Sequence, residues 1–161
     1  MSLRIRRAAA DDETILVRYN AALALESEGK TLDEAILRAG VRAALADPAK
    51  GFYVLAERDG DIVGQTGVTF EWSDWRNGWY WWIQSVFVRE DARRQGVFTA
   101  IYRHLEGEAL ADPSVIGIRL YVENENARAQ ATYQALGLAD ENYILMGCYP
   151  LPGRPGHIRG L

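Results

Sequence analysis

Hydrophobic and polar residues alternate over several short stretches of the chain, and this spacing is typical of β-strands with one buried face. The predicted strands cover residues 3–8, 51–57, 62–72, 79–88, 115–122 and 143–146. Elsewhere, apolar residues recur every three or four positions, which predicts amphipathic helices. These run between Asp12 and Ser27, between Thr31 and Asp47, from about Val97 to Leu110, and from Asn124 to Leu136.

Turn and capping residues separate these elements. Asp59-Gly60 predicts a tight hairpin between the second and third strands. Thr31 followed by Glu34 predicts a capping box for the second helix, and Gly137 predicts the end of the last one. The order of elements is strand, two helices, three antiparallel strands, helix, strand, helix, strand. We therefore predict an α/β fold, with a mixed sheet and helices on both faces.

Length and charge limit the classes of protein to which the chain can belong. Its 161 residues suit one domain, predicted over residues 1–149, followed by a tail rich in proline and glycine over residues 150–161. A net charge of −4 disfavours a nucleic-acid partner, because such proteins carry a basic face. We expect no membrane partner and no secretion signal, since no apolar run is long enough for either. The single cysteine, Cys148, excludes an internal disulfide and favours the reducing cytoplasm.

The most informative stretch is the strand end, charged loop and helix start between Val86 and Tyr102. A helix start presents backbone N–H groups that lack partners within the helix, and the helix dipole favours anions there. Gly96 would let a bound group approach the backbone closely, and Arg93 and Arg94 add positive charge. The stretch therefore predicts a binding site for phosphate or diphosphate.

Two motifs in this half of the chain together resemble the GNAT superfamily of N-acetyltransferases. The first is the pyrophosphate loop, Arg/Gln-x-x-Gly-x-Gly/Ala, in which Arg93 and Gly96 match and Phe98 replaces the small last residue. The second is the pattern Asn-x-x-Ala-x-x-x-Tyr-x-x-x-Gly-Phe. It is matched, with Leu138 in the last place, at Asn126, Ala129, Tyr133 and Gly137. The pair in this order is far more specific than either motif alone, and the resemblance covers about the first 146 residues.

The resemblance implies a mostly antiparallel central sheet that splays open between its fourth and fifth strands. It also implies acetyl-CoA as co-substrate and no metal. The pantetheine arm would pair with the backbone of Val86, Phe87 and Val88. The pyrophosphate would lie on the loop and helix start, formed by Arg93, Arg94, Gln95, Gly96, Val97, Phe98 and Thr99. Asn126 would contact the cofactor near the thioester, and Arg128 would meet the nucleotide phosphate.

The implied reaction is direct attack of a primary amine on the acetyl thioester. Tyr133 lies at the family's position for the proton donor to the leaving thiolate. Glu71, at the end of the third strand, is the first candidate for the base that takes the amine proton. Glu123 is the second, and a chain of water molecules is the alternative. The acceptor is a small-molecule or peptide amine whose identity the sequence does not predict.

Five tryptophans surround one predicted hairpin: Trp72, Trp75, Trp79, Trp81 and Trp82. Alternating positions of a strand cannot all face one core, so some of these rings are expected to form an acceptor pocket or a subunit interface. Trp72, Trp82 and Gln84 are the candidates for the pocket. A homodimer is expected from the aromatic hairpin and from the family resemblance.

Two other functions fit the same residues. A non-catalytic acyl-CoA-binding module would keep the cleft and lack a base. An interaction protein would bind a partner through the tryptophan hairpin and leave the cleft empty. A dinucleotide-binding oxidoreductase is disfavoured, because no Gly-x-Gly-x-x-Gly sequence follows a strand.

Overall fold

The computed structural model describes residues 2–154, so residues 155–161 of the predicted tail lie outside the described part of the chain. Nine principal elements follow one another along these residues. They are β1 Leu3–Arg7, α1 Glu13–Glu28, α2 Glu34–Ala46, β2 Phe52–Arg58, β3 Asp61–Ser73, β4 Gly78–Val88, α3 Val97–Ala111, β5 Val115–Leu120 and α4 Ala127–Ala135. Three short 3-10 turns precede α1, β2 and α3.

The strands form one sheet in the order β1-β2-β3-β4-β5. The first three pairings are antiparallel, and β5 runs parallel to β4. Asp59 and Gly60 join β2 to β3 with φ angles of 52° and 87°, the left-handed conformation that a tight hairpin requires at both positions. The predicted mixed α/β sheet is confirmed.

Helices cover both faces of the sheet. Adjacent residues of β2 point to opposite faces, and each face therefore has an apolar core of its own. Val54 belongs to the core beneath α3, together with Ile101 and Leu105 of that helix. Leu55 belongs to a second core beneath α1 and α2, where it meets Leu16 and Val41. All of these side chains are buried, and each contributes about 1.5–3 kcal/mol to the free energy of unfolding.

A β-bulge interrupts the pairing of β3 with β4. Gln65 pairs with Phe87, but Gly67 pairs with Gln84, so two residues of β4 lie opposite one residue of β3. Ser85, one of the two, has a φ of 52°. Its carbonyl oxygen accepts a hydrogen bond from Gln65 Nε2 at 3.2 Å. Thr66 Oγ1 donates to the carbonyl oxygen of Gln84 at 3.3 Å, so side chains of β3 hold the bulge of β4 in place.

Strands β4 and β5 separate beyond this point. Their parallel register ends with Ile83 opposite Leu120, whereas β4 continues to Val88. Residues 84–88 therefore have no neighbouring strand on the β5 side within the described chain. The predicted opening between the fourth and fifth strands is confirmed.

The predicted strand at 143–146 is absent from the described structure, in which residues 136–154 contain no helix or strand. The side chains of residues 143–146 are exposed instead. A segment with no neighbouring strand lacks the backbone hydrogen bonds that would hold it in a sheet. Two predicted helix starts were also wrong. Asp33 rather than Thr31 caps α2, and α4, predicted from Asn124, begins at Ala127 after its cap Asn126, since the cap must immediately precede the first helical residue.

Candidate active site

The N-terminus of α3 lies directly after the opening in the sheet. Gly96 is its N-cap with φ 76°, and Arg94 has φ 61°. No side chain caps this helix, and no acidic residue lies in its first turn. The first helical hydrogen bond is donated by Ala100 to Gly96, so the preceding N–H groups, at positions 97–99, have no helical partner. N–H groups of this kind are the usual binding site for anions such as pyrophosphate, so this helix start is the candidate anion site.

Arg93 and Gln95 shape this loop with their side chains. Arg93 donates from Nε to the carbonyl oxygen of Val88 at 2.8 Å and from Nη2 to Glu26 Oε2 at 2.6 Å. The Gln95 side chain donates to the Asp91 carbonyl oxygen at 2.8 Å and accepts from Arg58 Nη1 at 2.6 Å. The positive charge of Arg93 is therefore paired with α1. Arg94 is exposed, and no ion pair to it occurs within residues 2–154.

Gly64 allows α3 to pack tightly against the sheet. A Cβ atom at Gly64 would lie 2.9 Å from Val97 Cγ1 and 3.3 Å from the carbonyl oxygen of Phe87. Both distances are shorter than ordinary packing allows, so a larger residue would push the helix start away from β4. The glycine thus sets the spacing between the anion site and the open strand edge.

Helix α4 forms the opposite side of the opening. Asn126 Oδ1 accepts a hydrogen bond from the backbone N–H of Ala129 at 3.1 Å, so Asn126 caps the helix. Its side-chain oxygen is thereby used, and its amide nitrogen is the side-chain group that could donate to a cofactor. Arg128 is exposed. The ring of Tyr133 lies edge-on to Phe98, with 5.4 Å between centroids. Burial raises the pKa of Tyr133, so its hydroxyl stays protonated at neutral pH.

Glu71 belongs to a charged and aromatic cluster at the outer end of β3. Its Oε2 accepts from Trp82 Nε1 at 2.5 Å, and its Oε1 lies 3.4 Å from Arg119 Nη1. Gly67, four residues earlier, pairs with Gln84 beside the bulge, so about 13 Å of strand separates Glu71 from that point. A proton could pass between the two only through water or through the bound acceptor.

Arg119 connects this cluster to the C-terminal part of the chain. Its guanidinium stacks on Tyr80 at 3.6 Å from the ring centroid, and its Nε donates to Glu141 Oε2 at 2.6 Å. Trp82 stacks on Tyr121 with 4.5 Å between centroids and 28° between planes. The result is an aromatic wall beside the C-terminal end of β5.

A small pocket of about 60 Å³ opens beside the β4 bulge. Gln84 and Ser85 line it, together with Tyr53, Thr69 and Lys50. Gln84 Nε2 donates to Thr69 Oγ1 at 2.5 Å, which directs the amide along the pocket wall. Burial raises the pKa of the Tyr53 hydroxyl. Tyr53 and Thr69 are lining residues that the sequence analysis missed, because only the three-strand pairing brings them to Gln84.

Trp72 does not belong with Trp82 and Gln84, which corrects the predicted pocket. It follows Glu71 in β3 and so points to the opposite face, where it packs on Trp79 with 5.0 Å between ring centroids. Glu123 is exposed in the turn before α4, and its backbone oxygen accepts from the Asn126 N–H at 3.0 Å.

Two broader features complete the description. No helix within residues 2–154 is long and apolar enough to cross a membrane. Over the same residues, His, Cys, Asp and Glu side chains nowhere gather in a group of three that could hold a metal ion.

Known proteins share this architecture. The model of the acetyltransferase (GNAT) family matches residues 17–138. A possible acetyltransferase from Clostridium difficile 630 is 39% identical, with a TM-score of 0.86 over 94% of this chain and 99% of that one. A predicted acetyltransferase from Clostridium acetobutylicum, solved with acetyl-CoA, is 19% identical, with a TM-score of 0.73 over 91% and 96% of the two chains.

A third solved structure, the aminoglycoside acetyltransferase HMB0005 from an uncultured soil metagenomic sample, shares the fold at 19% identity. Its TM-score is 0.71, over 94% of this chain and 99% of that one. None of the curated proteins compared with the chain matches it. The family match covers most of the chain and includes both motifs, so the chain belongs to the GNAT acetyltransferase family.

Proposed function

We propose that this protein is an acetyl-CoA-dependent N-acetyltransferase that acetylates a primary amine by direct attack. The observation that carries the proposal is the uncapped N-terminus of α3 beside the open edge of β4. An uncapped helix start binds pyrophosphate, and an open strand edge pairs with an extended amide-containing chain such as pantetheine. Both are features of one ligand, and they adjoin here.

The residues present fit that co-substrate. The backbone of Val86, Phe87 and Val88 would hold the pantetheine arm, and the N–H groups of the loop and of the first turn of α3 would hold the pyrophosphate. Arg94 is free to add charge at the phosphates, and Arg128 is placed on the α4 side. The Phe98 ring packs on Tyr133, so the larger residue in the loop motif leaves the backbone N–H groups accessible.

The transfer needs two proton movements. The amine nitrogen forms a bond to the acetyl carbon, the carbon–sulfur bond breaks, and the thiolate takes a proton. Tyr133 would supply that proton, since its raised pKa keeps it loaded at neutral pH. Glu71 would accept the amine proton through water, with Glu123 as the second candidate. A backbone N–H near the bulge would stabilise the negative charge on the carbonyl oxygen.

The acceptor is a small-molecule or peptide amine that enters beside Gln84 and Trp82. The pocket at the bulge supports this, because Gln84 and Ser85 of β4 line it where the strand loses its neighbour, and Trp82, which stacks on Tyr121, lies two residues before Gln84 in the same strand. We also propose that residues 1–149 are one catalytic domain, that the protein is a homodimer, and that it acts in the cytoplasm. A single exposed cysteine is consistent with a reducing compartment.

The test is thermal unfolding with acetyl-CoA and with NADH as control. A ligand at a hundred times its dissociation constant adds about 2.7 kcal/mol to the free energy of unfolding, which corresponds to a rise of about 5–10 °C in Tm. We expect the rise with acetyl-CoA alone. Amines would then be screened by thiol release. Binding without thiol release for any amine would favour the non-catalytic acyl-CoA-binding module.

Thr99 offers a matched pair of variants at the third residue of α3. Thr99→Glu places a carboxylate in the first turn, which stabilises the free helix but competes with pyrophosphate for the same N–H groups. Thr99→Gln keeps the size without the charge. We expect only Thr99→Glu to abolish the rise in Tm. An equal response of both variants to acetyl-CoA would show that the cofactor binds elsewhere.

A further inference from the structure

Two adjacent polar residues of β3, Gln65 and Thr66, are fully buried and reach the bulge of β4 from one side. Gln65 Nε2 donates to the carbonyl oxygen of Ser85 at 3.2 Å. Thr66 Oγ1 donates to the carbonyl oxygen of Gln84 at 3.3 Å. The carbonyl groups of two consecutive residues of β4 are therefore both directed towards β3.

The amide of Gln65 uses only one of its two ends. Its Oε1 has no hydrogen-bond partner among residues 2–154. An unpaired buried acceptor destabilises a folded protein, and an apolar side chain of similar length would avoid that loss. What the amide adds is the bond to Ser85. Because Ser85 has a φ of 52°, a conformation unfavourable for a residue with a side chain, such a bond stabilises the bulge.

Backbone hydrogen bonds on either side of the bulge fix the direction of its peptide groups. The N–H of Trp79 donates to the carbonyl oxygen just before β5 at 2.7 Å. Pairing with β3 is regular from Trp79 to Gln84, so the N–H and C=O of Gln84 face β3. Beyond the bulge, the N–H of Arg89 donates to Val63 of β3 at 2.9 Å, so Phe87 faces β3 as well.

Two residues, Ser85 and Val86, thus occupy the place that one residue takes in a regular strand. In a planar trans peptide unit, the C=O of one residue and the N–H of the next point in opposite directions. The carbonyl groups of Gln84 and Ser85 are held on the β3 side, so the N–H groups of Ser85 and Val86 point away from β3. That is the side on which β5 has already ended opposite Ile83.

We propose that Gln65 and Thr66 are positioning residues for acetyl transfer, and that the N–H groups of Ser85 and Val86 together bind the thioester oxygen. As the amine nitrogen bonds to the carbonyl carbon, the electron pair of the C=O bond moves to the oxygen. It returns when the carbon–sulfur bond breaks. Two fixed donors stabilise that charge without rearrangement. The inference rests on the proposed function and specifies which N–H groups act and what holds them.

The first test needs no ligand. Amide hydrogen exchange of the isotope-labelled protein, followed by NMR, compares the two N–H groups with those of Gln84 and Phe87. We expect the N–H groups of Ser85 and Val86 to exchange at least about a hundredfold faster, because they lie at an open edge and their neighbours are bonded to β3. Slow exchange of either group would show that it is bonded within the fold, which overturns the proposal.

The second test uses a matched pair at position 66. Thr66→Val keeps the shape of the side chain and removes its donor, whereas Thr66→Ser keeps the donor. We expect Thr66→Val to lower kcat by about tenfold or more and to leave the dissociation constant for acetyl-CoA within about threefold, since the donor is displaced and the rest of the cofactor site is intact. Thr66→Ser should restore most of kcat. Equal kcat values in the two variants would exclude this role for Thr66.

Gln65→Met tests the other positioning residue, since methionine has a similar length and no donor. Its control is Val41→Ala, which removes buried contacts in the core beneath α1 and α2. Both variants should lower Tm, but only Gln65→Met should lower kcat. Equal losses of kcat in the two variants would assign the effect to stability and overturn the role of Gln65.

The infrared carbonyl stretch of bound acetyl-CoA, isotope-labelled at the carbonyl carbon, reports the two hydrogen bonds directly. Hydrogen bonding lowers this frequency, and a general loss of stability does not. We expect a lower frequency on the unchanged chain and on Thr66→Ser than in Thr66→Val and Gln65→Met. The same frequency on all four proteins would mean that the bulge N–H groups do not contact the oxygen.

These measurements also separate failure of the inference from failure of the proposed function. Binding of acetyl-CoA without thiol release for any amine would reject the transferase activity, and the infrared frequencies would still decide whether Ser85 and Val86 hold the oxygen. Absence of acetyl-CoA binding by the unchanged chain would reject the proposed function and, with it, the role of the two N–H groups. Thiol release with no effect of Thr66→Val or Gln65→Met would reject the inference alone.

Discussion

Phe98 and Tyr133 pack edge to face, with 5.4 Å between ring centroids and 69° between ring planes. Phe98 is the second residue of α3, and Tyr133 lies in the last turn of α4. The contact therefore joins the proposed pyrophosphate loop to the candidate proton donor. The one residue that departs from the loop motif therefore also packs against the tyrosine.

Phe98→Ala should lower the free energy of unfolding by about 1–3 kcal/mol, since the ring is partly buried and a cavity would remain. The pKa of Tyr133 should fall toward its ordinary value, because burial is what raises it. Urea unfolding measures the first effect, and NMR of isotope-labelled tyrosine over a pH series measures the second.

Affinity for acetyl-CoA is the discriminating measurement for Phe98→Ala. We expect it to change little, because the loop would bind through backbone N–H groups that the substitution leaves in place. Phe98→Leu, which keeps an apolar side chain of similar reach, serves as the control. Much tighter binding by the alanine variant would instead mean that the ring obstructs the loop.

Tyr133→Phe should lower kcat by about a hundredfold or more, because it removes only the hydroxyl that protonates the leaving thiolate. The dissociation constant for acetyl-CoA and the Tm should remain near those of the unchanged protein, since the ring still packs on Phe98. Thiol release under saturating acceptor measures kcat.

Tyr102→Phe is the matched control, because Tyr102 is also buried and its ring also lies against Phe98, at 6.4 Å. Its hydroxyl has no part in the proposed reaction, so kcat should be unchanged. Equal losses in the two variants would assign the effect to packing, and the proton donor would have to be sought elsewhere.

Glu71→Gln should remove the acidic limb of the pH dependence of kcat/KM and lower its plateau, because an amide accepts the Trp82 hydrogen bond but cannot take a proton. Glu141→Gln is the control, since Glu141 is the other carboxylate that contacts Arg119. An unchanged pH profile in Glu71→Gln excludes Glu71 as the base, and Glu123→Gln is then the variant to measure.

Local signals were sufficient to predict the loop between β4 and α3. The loop depends on a strand that ends at Val88, a glycine at position 96 and an amphipathic helix after it, and all three lie within a few residues of one another. The splayed sheet was predicted through the family resemblance. It has a structural cause in the short β5, which stops opposite Ile83 and leaves the rest of β4 uncovered.

Contacts between distant strands could not be predicted. Glu71 meets Arg119 only because β5 runs parallel to β4 and places Arg119 opposite Trp82. The bulge of β4 is likewise held from a neighbouring strand, because the side chains of Gln65 and Thr66 in β3 donate to carbonyl groups of β4. The pattern at 143–146 is that of a strand, but sequence periodicity does not say which edge a strand joins.

Asp12→Asn should lower the free energy of unfolding by about 1–2 kcal/mol at neutral pH, because two hydrogen bonds from Arg6 at 2.8 and 2.9 Å hold the pKa of this carboxyl below its usual value. A carboxyl group whose pKa is lower in the folded than in the unfolded protein stabilises the fold at pH values above its unfolded-state pKa of about 3.9. This stabilisation is lost as the pH falls through the folded-state pKa. The difference between variant and unchanged protein, measured by urea unfolding, should therefore shrink below about pH 4. The control is Asp11→Asn, because Asp11 is the exposed neighbour of Asp12. A difference independent of pH would contradict the ion-pair explanation.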